Sequence, residues 1–397
     1  MQNTKINLFL FDPGDHCAPL SIPFDPMMVL IGTPINIEIG DNALFYRSGG
    51  FLVDSVLTPG HRLSIVDVFN YDFRYFDEEQ RRHTGISNVN LNKLFPDMRP
   101  EGLVPMVIAL EQAGQAQLYH YVQQGHTGAI FLKYHVAPSP QALDGWASYT
   151  QLLKDCHQPL QQVWPMLNDD CWYKRWQPEM EMERKYTFLA ISDTWILINR
   201  LYKKILSGGL NGFVPELDRE FQVFDYDSHM YEVSGAADES GYIAYIPQSD
   251  GRIKVKRKWT ATASTEIRKE HVTANLTIGL DDIDEHVKSL TNCQLTRLPV
   301  FRRKRFDVNF ESLRTGNVYG IYFDICRTQA NDKRHDFAQC EVEYCRTRTF
   351  GEIIDVMEEF EQVCDFTRNF LDENRIDFQH NMYSKLDFAR KTLIDLV

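Results

Sequence analysis

The chain has 397 residues, 43% hydrophobic and 24% charged, which at roughly 100 to 200 residues per domain implies two or three domains and excludes wholesale disorder. Acidic residues outnumber basic ones, 55 to 42, for a formal net charge of -13, so non-specific attraction to nucleic acid or to an anionic membrane is not expected. No stretch approaches the roughly 18 to 20 apolar residues of a spanning helix, and the apolar run at the start is too short for a signal peptide, so the expectation is a cytoplasmic protein. The eight cysteines (Cys17, Cys156, Cys171, Cys293, Cys326, Cys340, Cys345, Cys364) show neither CxxC pairs nor the density of a disulfide scaffold, and reduced thiols are expected.

Residues 1 to about 165 read as a mixed, strand-rich region, with the short apolar runs LFLF, MMVLIG, INIEIG and FLVDSVL punctuated by Pro, Gly and Asp. From Gly102 to Gly125 the helix formers of GLVPMVIALEQAGQAQLYHYVQQG predict a helix ending at a glycine, and AIFLKYHV from Ala129 predicts a strand. A second helix is expected from Gln141 to about Gln158, where Pro159 disfavours continuation. WPMLNDDCWYKRWQP, from Trp164 to Pro178, is rich in turn formers and aromatics and suits a junction. The expected domains are 1–169, a mixed α+β domain of unassigned role, and 170–397. Polar groups at Asp12, Asp15 and His16, and in RYFDEEQRRHTGISN and GHTGAIFLKYH, read as loop and surface.

Downstream, FLAISDTWILINRLYKKIL carries apolar residues at helical spacing and is stopped by GGLNG. Strand-like segments then follow to about Tyr344, and a long amphipathic helix is expected from roughly Phe350 to Glu373. PEMEMERKYTF, from Pro178 to Phe188, fits two structures. As a strand it places Glu179, Glu181, Glu183 and Lys185 on one face and Met180, Met182, Tyr186 and Phe188 on the other. As a helix it has good formers, Pro178 in the first turn and an i,i+4 pair between Glu181 and Lys185.

Three later segments share the charged pattern. GRIKVKRKW sets Arg252, Lys254, Lys256 and Lys258 on one face, with Ile253, Val255 and Trp259 on the other. VFRRKRFDVNF gives Phe306, Val308 and Phe310 an apolar parity and leaves Arg303 and Arg305 with Asp307 and Asn309 on the polar side. QCEVEYC sets Glu341 and Glu343 against Val342 and Tyr344. Each strand alone is explained as a solvated face. Together, rows of cations on some strands and carboxylates on others suit the lumen of a closed antiparallel barrel, for which about eight strands suffice to hold a small ligand. Cation rows match phosphate oxygens, and carboxylate pairs match Mg²⁺ or Mn²⁺, so a metal–triphosphate complex satisfies both signs.

These residues resemble the CYTH superfamily, the triphosphate tunnel metalloenzymes, whose first barrel strand carries ExExK, here Glu181-Met182-Glu183-Arg184-Lys185. The family order continues with the Lys-rich strand, a basic strand ending in an aromatic (Arg303, Arg305, Phe306), an acidic strand (Asp324), the ExE strand (Glu341, Glu343) and a Ser-Lys element in YSKLDFARK (Lys385). The likeness covers about residues 178 to 397. It implies an α+β chain whose C-terminal domain is a closed β-barrel with flanking helices, acting as a metal-dependent triphosphatase on inorganic, nucleoside or other organic triphosphates. It implies Glu181, Glu183, Lys185, Glu341 and Glu343 as catalytic residues. Lys185, Lys254, Lys256, Lys258, Arg303, Arg305 and Lys385 would bind the triphosphate, and Glu181, Glu183, Glu341, Glu343 and Asp324 would hold Mg²⁺ or Mn²⁺. A metal-bound or carboxylate-positioned water is the candidate nucleophile, oriented by Glu341 or Glu343 in the absence of a second ion. Adenylate cyclase chemistry on the same cations, a non-catalytic polyphosphate or nucleotide sensor, and catalysis by the first domain under regulation by the barrel are the rival readings. Two features depart from the family: Gly279 stands in LTIGL where many members carry a basic residue, and a helix is inserted between Lys185 and Arg252.

Overall fold

A computed structural model describes residues 5–11, 25–33, 35–47, 49–76, 82–87, 89–98, 103–124, 127–138, 145–163, 179–191, 193–217, 219–259, 266–331, 333–348 and 352–395. The chain divides into two compact units, Met1–Tyr173 with Ser312–Gly316, and Lys174–Glu311 with Asn317–Val397. The expected junction between Trp164 and Pro178, the polar trio Asp12, Asp15 and His16, and Cys17 and Cys171 lie outside the described residues. The six remaining cysteines are free thiols.

The first unit contains β1 (Lys5–Phe11), β2 (Met28–Thr33), β3 (Ile37–Ile39), β4 (Ala43–Arg47), β5 (Gly49–Thr58), β6 (His61–Phe76), β7 (Arg82–Ser87), α1 (Val89–Leu94), β8 (Val104–Gln112), β9 (Gln115–Gln124), β10 (Gly128–Pro138), α2 (Trp146–Asp155) and α3 (His157–Val163). Its strands form one antiparallel sheet in the order β3-β4-β10-β9-β8-β1-β2-β5-β6-β7. The central strand β1 explains why LFLF is apolar throughout. Leu8 and Leu10 pack on one face with Leu91 and Leu103, while Phe9 and Phe11 pack on the other against Tyr149, Leu152 and Leu160 from α2 and α3.

Two helical expectations fail here for identifiable reasons. The described residues of the 102–125 stretch, 103–124, contain no helix; β8 and β9 form a hairpin in the register Gln112↔Gln115. The connecting Ala113 and Gly114 both have positive φ, 51° and 79°, as a two-residue turn matched to strand twist requires. Burial of alternate residues on both faces of the sheet overrides the helix propensity of the segment. Pro159 does not end a helix either. The chain turns at Cys156, and Pro159 sits in the first turn of α3, where its missing N–H costs nothing.

The second unit contains β11 (Met180–Phe188), α4 (Thr194–Leu206), β12 (Phe213–Pro215), β13 (Phe221–Ser234), β14 (Gly241–Pro247), β15 (Ile253–Trp259), β16 (Ile267–Leu276), α5 (Ile283–Leu290), β17 (Gln294–Arg297), β18 (Phe301–Ser312), β19 (Asn317–Ala330), β20 (Lys333–Thr347), α6 (Ile353–Glu373), β21 (Phe378–His380) and α7 (Lys385–Ile394). Strands β18, β19, β20, β11, β16, β15, β14 and β13 pair antiparallel in that order, and β13 pairs back onto β18. The result is a closed eight-stranded barrel in an α+β chain. PEMEMERKYTF is therefore a strand from Met180 onward. Its first glutamate is excluded, because Glu179 has φ 64° and an exposed side chain.

The barrel is apolar outside and charged inside. Outward residues Met182, Tyr186, Phe306, Val308, Phe310, Val342 and Tyr344 pack under Leu197, Ile198 and Leu201 of α4 and Val356, Phe360 and Val363 of α6. On the other flank, Tyr231, Ile243, Ile253 and Val255 pack under Ile283 and Val287 of α5. The helix inserted after the first barrel strand is thus a cover for the barrel wall. Asp193 caps it, accepting from the Ile196 N–H at 3.1 Å.

Inside the wall, Gly320 stands opposite Asn309 and Glu343. A Cβ there would collide with the ring of Tyr322, and that ring is held by Asn309 at 3.3 Å, Cys345 at 2.9 Å and the overlying Arg305 guanidinium at 4.4 Å. Gly320→Ala is expected to displace Tyr322 and Arg305 together and to cost about 1–3 kcal/mol, read as a lower urea midpoint at unchanged slope.

Candidate functional site

The alternation of barrel strands turns one residue in two into the lumen, and cross-strand register decides which lumen residues meet. On β11, Glu183 stands opposite Glu343 of β20 and Lys185 opposite Glu341. On its other side, Glu181 stands opposite Arg268 of β16. The three ExExK residues are 1%, 3% and 2% exposed, a burial that ionised groups tolerate only when paired.

Pairing is extensive. Glu181 accepts from the Lys258 ammonium at 2.6 and 2.7 Å and from Arg268 Nε at 2.7 Å. Burial opposes its ionisation, but Lys258, Arg268 and Lys256 outweigh that and hold the carboxyl well below the usual range. Glu183 pairs with Lys185 at 2.5 Å and with Arg268. Glu270 bridges Lys256 at 3.0 Å and Lys258 at 3.4 Å.

A second knot lies on β18, β19 and α7. Asp324, fully buried, accepts from Arg303 at 2.8 Å through both guanidinium nitrogens, from Arg305 at 3.0 and 3.1 Å, and pairs with Lys385 at 2.8 Å. Burial again works against ionisation, yet these three cations hold its carboxyl well below the normal range. Glu341 is bound by Arg305 and Lys385; against burial, Lys385 and Arg305 lower it to about 2. Lys385 is the first residue of α7, where a cation opposes the helix dipole. Its two carboxylate partners explain why a lysine is tolerated there.

These groups enclose an inner cavity, lined by Glu181, Lys185, Lys256, Lys258, Arg268, Arg303, Arg305, Glu341, Glu343 and Lys385 among others. One end is plugged by an apolar cluster in which Met230, Ala244, Phe301, Cys326 and Phe337 meet Leu386, Phe388 and Ala389 of α7. Towards the other end it joins a second, larger cavity through the shared Lys256, Arg303, Arg305 and Glu343. Lys254 lines that outer cavity; burial and then Lys256 push its ammonium down from the ordinary lysine value.

Every barrel-strand residue picked out from the sequence for charge therefore faces the lumen except Glu179 and Arg252, which is exposed and paired with Asp250 at the turn. Two charged lumen residues on the barrel strands were not foreseen. Arg268 and Glu270 lie at the start of β16, in IRKEHV, whose outward side is exposed and polar, so no apolar alternation marks the strand there. Gly279 lies beyond β16 and caps a 3-10 turn, outside the lumen.

Whether a metal suits the site is decided by donor chemistry. Glu183 and Glu343 face each other on neighbouring strands with Glu181 two residues away, a set of hard oxygen donors that fits Mg²⁺ or Mn²⁺. Among the described residues no three His, Cys, Asp or Glu side chains are already gathered for an ion; Glu181 and Glu183 are paired with Lys258, Lys185 and Arg268. Thiol chemistry is disfavoured: burial and then Asp324 push the lumen-side Cys326 up to about 12. No helix among the described residues is long and apolar enough to cross a membrane.

No family model matches the chain, and no curated protein matches it. Among solved structures it is similar to an adenylyl cyclase candidate from Hippeastrum, described as having a dominant triphosphatase activity, at 14% identity over 53% of this chain and 95% of that one, with a TM-score of 0.29. It is also similar to an RNA triphosphatase of S. pombe, in complex with the Spt5 CTD at 14% identity over 50% of this chain and 84% of that one, TM-score 0.22, and alone at 13% over 50% and 83%, TM-score 0.22. At these scores the likeness adds nothing to the barrel established by the strand pairings.

The buried carboxyls make opposite contributions to stability against pH. Glu341 and Asp324 have depressed folded values, so their contribution is present above the unfolded carboxyl range and is lost as pH falls, for Glu341 from 4.5 toward about 2. Asp307, raised from 3.8 to about 7 by burial, contributes stability below 3.8 that is lost as pH rises through about 7. Asp307→Asn is expected to stabilise the protein at pH 8 by on the order of 3 kcal/mol and far less at pH 4, measured by urea unfolding at both values. Asp324→Asn, which leaves three cations with one neutral partner, is expected to cost about 3–5 kcal/mol at pH 7.

Proposed function

We propose that residues 170–397 form a triphosphate tunnel of the CYTH type, and that the chain is a metal-dependent triphosphatase. The observation that carries this reading is the lumen: a closed barrel in which Lys185, Lys258, Arg268, Arg303, Arg305 and Lys385 stand among Glu181, Glu183, Glu341 and Glu343 in one cavity. Phosphate oxygens suit the cations, and a polyanion entering beside four carboxylates needs a counter-cation to relieve the repulsion.

In this reading Lys254 and Lys256 receive the anion from the outer cavity, and Arg303, Arg305, Lys258 and Lys385 neutralise and orient its phosphates. Glu181, Glu183 and Glu343 would hold Mg²⁺ or Mn²⁺, which when bound neutralises phosphate charge and polarises water. Arg268 exchanges Glu181 and Glu183 for phosphate oxygen as the ligand seats. Asp324 organises Arg303, Arg305 and Lys385. Glu341, released from Lys385 and Arg305 as they turn to phosphate, can accept a proton from water aligned with the terminal phosphorus. Orientation and electrostatic stabilisation carry the rate, as they do in phosphoryl transfer generally.

Phosphate release from inorganic triphosphate, ATP and thiamine triphosphate, with Mg²⁺, Mn²⁺ or EDTA, tests the proposal. Turnover should require the metal, and Glu183→Gln or Glu343→Gln should lower kcat by about 100-fold or more while circular dichroism stays unchanged. Cyclic AMP with pyrophosphate as the products would replace the triphosphatase by a cyclase. Tight binding with no product from any substrate would leave a sensor.

A further inference from the structure

Three apolar groups, Val223, Phe224 and Pro247, line the outer cavity and not the inner one. The outer cavity is the larger of the two, and Ile246 borders both. Phe224 stands opposite Arg305 in the β13–β18 register, hence on the lumen face, and is 41% exposed. A chain of phosphates gains nothing from an apolar wall or an open phenyl ring. Flat heterocycles do, since stacking on an aromatic side chain is worth about 1–3 kcal/mol per base.

Asp307 is the second, independent observation. It lines the same cavity, is 7% exposed, and its Oδ1 has no hydrogen-bond partner; the nearest cation, Arg305 Nε, is 3.7 Å away. A buried acceptor left unsatisfied is destabilising, and a carboxyl at this position repels phosphate. It suits a ligand group that donates N–H or O–H. Arg303 and Arg305 border both cavities, so phosphates held by them direct any attached group outward, to Phe224 and Asp307.

We propose that the outer cavity binds the organic part of an organic triphosphate, a nucleoside or comparable flat heterocycle bearing hydrogen-bond donors, with Phe224 stacking on its face and Asp307 accepting from its edge. This rests on the triphosphate reading of the inner cavity. The test is calorimetric affinity for inorganic triphosphate and for the β,γ-imido analogues of ATP, GTP and CTP, with Ca²⁺ in every arm to suppress turnover. At least one nucleotide should bind about fivefold or more tighter than inorganic triphosphate. Phe224→Ala and Asp307→Ala should each erase that gain so that the two ligand types bind alike, and Phe224→Trp should keep it. Inorganic triphosphate binding as tightly as every nucleotide, or a gain that survives Phe224→Ala, overturns the outer-cavity assignment alone. Failure of every ligand to bind overturns the inner-cavity reading and this one with it.

Discussion

Charge buried in a closed barrel has to be neutralised in place, and that constraint organises the second unit. Glu181, Glu183, Asp324 and Glu341 are at most 3% exposed, where an uncompensated ion costs several kcal/mol. Each is held by two or more cations from barrel strands or from α7. Ion pairs of this kind are poor sources of stability, since desolvation offsets much of their attraction. The stability of the unit comes from the opposite parity of the same strands. Phe306, Val308, Phe310, Val342 and Tyr344 bury their side chains under α4 and α6, each worth about 1.5–3 kcal/mol.

The same pairing makes the lumen exchangeable. Arg268 touches both Glu181 and Glu183, and Lys385 touches both Asp324 and Glu341. A ligand carrying its own anionic oxygens and its own cation can replace each of these contacts by one of equal sign, so entry leaves no charge orphaned. A neutral or purely anionic ligand cannot. On the proposed reading, electroneutrality favours a mixed-charge complex before any shape is considered.

Strand existence in this unit was legible because parity was legible: Lys254, Lys256 and Lys258 against Ile253 and Val255, Arg303 and Arg305 against Phe306 and Val308, Glu341 and Glu343 against Val342 and Tyr344. An apolar coat on one side and a charged lumen on the other write the period of two into the sequence. Where only one of those conditions held, the reading lost its footing. β16 has an uncovered outer side, so nothing in IRKEHV distinguishes Arg268 and Glu270 from solvent-facing charge. In β8 both faces are buried, and the continuous apolar run VPMVIAL carries no period; Ala113 and Gly114, with positive φ, decided for a hairpin. Asp324 showed itself as an acidic residue in an apolar strand, but its three cation partners come from β18 and α7, distances in sequence that no local pattern spans.

Arg268 also bears on the departure at Gly279. A glycine after LTI removes a cation from the far end of the segment, yet Gly279 stands past the last residue of β16 and caps the turn into α5, where a long basic side chain would have to reach back over the rim. The near end of the strand supplies the charge instead, directly opposite Glu181. A cation placed there contacts the first carboxylates of the ExExK strand, Glu181 and Glu183. On the proposed CYTH-type reading, Arg268 supplies along the barrel wall the positive charge that Gly279 lacks. It sits closest to the residues whose charge an entering ligand has to take over.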